Sequence, residues 1–428
     1  MSGEEIDNQV LKLFEVLLTA EIVNQNGKLD ANDLTPLCRD LYGVNGNGTD
    51  LQRPVAVSEG SIKRALGIED AHEKLKKNPF VGYDEFGQRL FITTLDPAAN
   101  WFLNKGGKPR IYHNPVLAYF YQGHNSVDVS YEDVRGKNPL LEDTRAYLDS
   151  KISRLLADSE AMRSAIDLLI ISAPEEIEQQ IQELICTPRQ KEFVREVQTS
   201  MANREFLHEH RIYEIGKILF VGPPGTGKTS LALALSHHLH LPLLEVRLSM
   251  ITSQYLGETS KNVDRIFEFA KRLSPCILFI DEFDYVGKSR VTDDHGAMKR
   301  AVNMLLKNID RISLIRDGVL LIGATNHPQL LDEAAWRRFD QVIEFALPDY
   351  DMRREILRTI TSNLECHAHL EDLAMRTEGF SGADLRMMVK EAVVSALVRQ
   401  KRSIDDEDMG KGILTVEERN ALKYGSWV

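Results

Sequence analysis

Apolar and polar positions divide the chain into three zones. From about residue 212 onward, short apolar runs alternate with stretches whose apolar residues recur every three or four positions. Segments 218–221, 244–246, 277–280, 319–322 and 342–345 read as strands. Most are apolar throughout rather than alternating, which marks strands covered on both faces. That alternation with helices predicts an α/β fold: a parallel sheet with helices on both sides. From about 140 to 210 the chain is helix-forming, with helical periodicity over 148–162 and 175–185. The zone from about 4 to 135 mixes a one-faced helix at 6–18 with turns at 45–48 and 105–107. Segments 88–94 and 110–121, rich in aromatic and β-branched residues, favour strand. A small α+β or helical module, winged-helix-like in outline, fits that zone.

The chemistry sits at the ends of the expected strands. Gly222-Pro223-Pro224-Gly225-Thr226-Gly227-Lys228-Thr229 follows the first strand and opens a helix at Ser230. This is a phosphate-binding loop in its required context: glycines let backbone N–H groups turn toward phosphate oxygens, and the helix dipole adds to the field. Lys228 is expected to reach the β- and γ-phosphates of ATP, and the Thr229 hydroxyl to hold Mg²⁺. The strand at 277–280 ends in Asp281-Glu282. At the carboxyl edge of such a sheet, Asp281 is expected to orient the Mg²⁺ and Glu282 to polarise the attacking water.

Composition narrows the partners. The 428 residues carry a formal net charge of −12, with 43% hydrophobic and 27% charged residues. An acidic balance disfavours wrapping of nucleic acid. Cys38, Cys186, Cys276 and Cys366 form no paired motif, and the N-terminus lacks an apolar targeting core, so a cytoplasmic protein is expected. The apolar run near 166–173 is far too short for a membrane span. His208-Glu209-His210 is not the HExxH of zinc proteases, because its second His comes too early, and Cys366-His367-Ala368-His369 lacks a fourth ligand at usable spacing. Residues 24–30 resemble part of a calcium loop, but Ile22 and Asp33 stand at its end positions. A turn before a capped helix is the better reading.

With both phosphate-site pieces present in order, the chain resembles the AAA+ superfamily, and within it the AAA clade that includes FtsH-like modules. The resemblance covers about residues 180 to 400. It implies that Asn326, in Gly323-Ala324-Thr325-Asn326, is a sensor of the γ-phosphate. It further implies that Arg337 and Arg338 are arginine fingers reaching a neighbouring subunit's nucleotide. Gly382 and Ala383 match the lid segment near base and ribose, and 184–188 stands where relatives often carry an Ile-Gly pair, here without the glycine. Tyr255-Leu256-Gly257 resembles the pore loop that grips polypeptide, and 288–296 is a candidate second pore loop.

The implied organisation is an N-terminal recognition domain at 1–135, a helical connector at 136–210, a large α/β nucleotide-binding subdomain at 211–348 and a small helical lid at 349–428. The implied function is an ATP-hydrolysing homo-hexamer that threads protein substrates or adaptor-bound clients, recognised through the N-terminal region. A nucleic-acid-handling ATPase and a nucleotide-gated scaffold are the alternatives.

Overall fold

The computed structural model describes residues 3–44, 51–123, 127–158, 160–246, 259–284 and 296–424. The chain forms two units, Met1–Arg154 and Leu155–Val428.

In the first unit the helix Gly3–Gln25 runs through an apolar core, with Leu13, Phe14, Val16, Leu17 and Leu18 all solvent-free or nearly so. Residues this close in sequence cover several sides of a helix, so this one is wrapped rather than laid on a surface. A small antiparallel sheet follows, in the order β1 (Val57–Ser58), β3 (Arg89–Ile92), β2 (Val81–Asp84). The strand expected at 88–94 is β3. The strand expected over 110–121 is instead two helices, Lys108–Ile111 and Pro115–Tyr121. Asn114 accepts the Leu117 N–H and Pro115 fills the first turn, so local start signals outweigh the strand propensity of the aromatic residues. The turn at 24–30 leads into a short 3₁₀ turn, Ala31–Asp33, capped by Asp30. The turn expected at 45–48 lies outside the described residues.

The second unit is built on a six-stranded sheet in the order β4-β6-β7-β8-β5-β9. Its strands are β4 (Leu169–Ser172), β5 (Lys217–Val221), β6 (Leu243–Val246), β7 (Cys276–Ile280), β8 (Val319–Thr325) and β9 (Gln341–Glu344). Five pair in parallel, and β4 lies antiparallel on the edge beside β6. Every residue of β7 and β8 is buried, as expected for strands covered on both sides.

All five expected strands are present. The sixth, β4, falls in a stretch read as helix-forming, and 175–185 is two 3₁₀ turns, Pro174–Glu176 and Ile181–Glu183, rather than a helix. Edge pairing of 169–172 on β6 is non-local, so short-range periodicity carries no signal for it. Beyond the sheet, helices Tyr350–Thr361, Leu370–Arg376, Gly382–Val398 and Asp406–Tyr424 enclose a separate small core around Leu357, Leu385, Met388 and Val416.

Candidate active site

Three neighbouring strands deliver the site. β8 pairs with β5 at Thr325 and Val221 and with β7 at Gly323 and Ile280. The next residues, Gly222, Asp281 and Asn326, therefore leave the same carboxyl edge of the sheet.

Gly222–Gly227 turns sharply between β5 and the helix Lys228–Leu239, with Gly222, Gly225 and Gly227 at φ of 152°, 78° and 100°. At Gly225 a β-carbon would sit 2.7 Å from the Ser381 hydroxyl and 2.9 Å from the Ala383 methyl. Glycine is therefore required there by both conformation and space. Lys228 is only 6% exposed, and its ammonium donates to the carbonyls of Gly222 (2.8 Å) and Pro223 (2.7 Å). Burial pushes its pKa below the usual lysine value, while Asp281 and Asp284 oppose that drop. An ammonium carries three protons; among the described residues two meet these carbonyls, and the third suits an anionic ligand.

The Thr229 hydroxyl donates to Asp281 at 3.1 Å. A hydroxyl and a carboxylate side by side are hard oxygen donors of the kind Mg²⁺ takes. Glu282 is exposed and stands at φ 50°, a left-handed conformation that a residue with a side chain rarely adopts. Its amide donates to the other Asp281 oxygen at 2.7 Å. Asn326 is half-buried one residue beyond β8.

The lid closes on the loop. The Ala383 N–H donates to the Gly225 carbonyl at 3.0 Å, and Ser381 caps the helix Gly382–Val398 in a reciprocal box with Asp384. On the other side, Thr187 caps the helix Pro188–Ala202, and Gln190 donates to the Glu344 carbonyl at 3.2 Å. Cys186 is half-buried there, its thiol pushed up by burial.

The two arginines part company. Arg337 leaves 73% of its side chain exposed and pairs with Glu333 one helical turn back. Arg338 is 26% exposed and donates to Asp310 (3.1 Å) and to the carbonyls of Leu306 (3.2 Å) and Ala334. Tyr255, Leu256 and Gly257 lie outside the described residues, as does nearly all of 288–296. His369 bonds Asp406 at 2.8 Å, and no group of three or more metal-type side chains occurs among the described residues. No helix among them is long and apolar enough to cross a membrane. Two buried polar residues have no role assigned by the sequence motifs, Asp284 and (beside Asn326) Thr325; their side chains bond at 3.1 Å. The only hint in the sequence was an acid recurring two residues after Glu282.

Residues 218–347 match the ATPase family associated with various cellular activities (AAA), and residues 368–411 match the AAA+ lid domain. An uncharacterized AAA family ATPase of Sinorhizobium fredii is 34% identical, over 50% of this chain and 64% of its own. The proteasome-activating nucleotidase of Pyrococcus horikoshii is 37% identical, over 48% of this chain and 53% of its own. FtsH 2 of a Thermoanaerobacter species, named an ATP-dependent zinc metalloprotease, is 38% identical, over 46% and 39%. The chain thus spans less than two thirds of each of these relatives. The crystal structure of the FIGL-1 AAA domain superposes with a TM-score of 0.50 at 24% identity, covering 63% of this chain and 97% of that one. That likeness concerns the fold.

Proposed function

We propose that this chain, which belongs to the AAA family of ATPases, hydrolyses ATP and couples the cycle to remodelling of protein substrates in a hexameric ring. The observation that carries the reading is the convergence at one sheet edge of Lys228, Thr229 with Asp281, Glu282 and Asn326, with the lid bonded to the loop through Ala383. Thr229 and Asp281 would hold Mg²⁺, which supplies charge neutralisation on the phosphate oxygens. Lys228 binds phosphate oxygens in the loop. Glu282 orients and polarises the lytic water, and Asn326 aligns it against the γ-phosphate.

Of the two arginines, Arg337 is the better finger: its side chain extends into solvent, whereas Arg338 is occupied within its own protomer. A guanidinium arriving from a neighbour stabilises charge on the transferred phosphoryl group. Tyr255, flanked by Leu256 and Gly257, then grips extended polypeptide in the ring's channel. The names of two relatives, a proteasome-activating nucleotidase and an ATP-dependent metalloprotease, support a protein substrate. The net charge of −12 weighs against nucleic acid.

The test is Glu282→Gln in the full chain. ATP should still bind while turnover falls by at least about a hundredfold, the scale of losing a general base. Turnover at the parental rate would remove Glu282 from the role and the reading with it.

A further inference from the structure

Thr325, the last residue of β8, is solvent-free, and Asp284 is 5% exposed. Neither belongs to the set that contacts nucleotide in the reading above. Yet Thr325 is where three functional segments meet. Its carbonyl accepts the Gly222 N–H at 3.3 Å, which ties it to the start of the phosphate loop. Its hydroxyl donates to Asp284 at 3.1 Å, which ties it to the turn carrying Glu282. The same hydroxyl oxygen accepts the His327 N–H at 3.0 Å, closing a small turn around Asn326. The proton count is consistent: a hydroxyl has one proton, given to an acceptor-only carboxylate, and a lone pair left for an amide.

The turn after β7 needs such anchoring. Glu282 stands at φ 50°, a left-handed conformation that persists only where neighbouring contacts impose it. Both residues that follow it are bonded to the end of β8: Phe283 through its N–H to the Ala324 carbonyl at 2.8 Å, and Asp284 through the Thr325 hydroxyl. Asp284 also lies close enough to Lys228 for its charge to act on that ammonium.

We propose that Asp284 and Thr325 form a positioning pair that holds Glu282 and Asn326 in register with each other and with the phosphate loop, so that hydrolysis depends on the pair and nucleotide binding does not. The inference rests on the ATPase reading of the site. The pair touches neither the nucleotide nor the water; it acts through the geometry of two groups that do. Displacing reacting groups by about 1 Å costs on the order of a hundredfold in rate.

The experiment is steady-state ATP turnover and ATP affinity in the full chain. Thr325→Val keeps the side-chain volume and deletes the hydroxyl. Its kcat should fall roughly ten- to a hundredfold while KM and nucleotide affinity stay within about threefold. Thr325→Ser, which keeps the hydroxyl, should recover kcat to within about threefold of the parent. Asp284→Ala should show the same fall in kcat with no loss of affinity, since removing an anion near Lys228 does not weaken a phosphate site. The double variant should lose about as much kcat as the worse single one, because the two act as a unit. Parental kcat in Thr325→Val, affinity falling in step with kcat, or losses that multiply in the double variant would each overturn the pair. Should Thr325→Val fail to fold, Asp284→Ala decides: a parental kcat there overturns it equally. The parent and Glu282→Gln run in the same assay. A parent without turnover sinks the ATPase reading and the pair together, whereas an active parent with an unimpaired Thr325→Val sinks only the pair.

Discussion

Replacing Gly225 with alanine tests the closure of the phosphate loop against the lid. At φ 78° the new side chain incurs the left-handed penalty of about 1–2 kcal/mol. Its methyl would also land 2.7 Å from the Ser381 hydroxyl and 2.9 Å from the Ala383 methyl. Neither neighbour yields freely: Ser381 is engaged with Asp384 at 2.6 Å in the helix cap, and a methyl has no rotamer to change. Relief therefore requires loop and lid to part, which breaks the Ala383-to-Gly225 hydrogen bond at a cost of about 1 kcal/mol. The sum is about 2–3 kcal/mol. Where nucleotide holds the loop closed, the cost appears as a roughly 30- to 150-fold loss of affinity; where it does not, it lowers the melting temperature. In melting without nucleotide Gly227→Ala is the internal control, because at φ 100° its β-carbon would meet nothing within 4 Å among the described residues. That variant incurs the backbone penalty alone. Thermal melting of parent, Gly225→Ala and Gly227→Ala, and titration of parent and Gly225→Ala with a fluorescent nucleotide, separate the terms. If Gly225→Ala melts with the Gly227→Ala control and binds nucleotide as tightly as the parent, the lid does not close on the loop and the reasoning fails.

The arginines and the lid histidine give further expectations. Arg338→Ala should lower the melting temperature by a few degrees, since it removes bonds to Asp310 and the Leu306 carbonyl worth about 1–2 kcal/mol together. Arg337→Ala should leave melting unchanged and cut turnover of the assembled protein by about a thousandfold, the scale of a lost arginine finger; the reverse pattern would reassign the finger to Arg338. In the His369–Asp406 pair, the hydrogen bond to Asp406 raises the histidine above its usual 6.5 and lowers the carboxylate below its usual 3.8. The histidine contribution to lid stability is complete below about pH 6.5 and fades as pH climbs through the raised value; that of Asp406 is complete above about pH 4 and fades as pH falls through its lowered value. The melting gap between parent and Asp406→Asn should therefore be widest between those limits and shrink toward pH 9. A gap constant from pH 5 to 9 would refute the pairing.

Much of the site was readable because its chemistry is local. Glycines at the loop, Lys228 and Thr229 on the first helical turn, and two acids after a buried strand are neighbours in the chain, and each follows an apolar run that only a doubly covered strand explains. The five parallel strands were visible on the same ground. What escaped was whatever depends on partners distant in sequence. β4 has no periodicity of its own and exists because β6 offers it an edge. Residues 115–121 are a different case: their aromatics favour strand, yet the Asn114 cap and Pro115 in the first turn, both local signals, start a helix.

The same division runs through the catalytic edge. The amino-acid order alone identifies a nucleotide loop and a pair of acids, because backbone conformation and burial there follow from residues within one strand and one turn. Folding alone sets Thr325 against Asp284 across 41 residues, brings Ala383 to Gly225, and gives Arg337 to solvent while tying Arg338 down. Those outcomes hang on hydrogen bonds and contacts whose partners become neighbours only after the sheet and lid assemble, so no window of sequence contains the information.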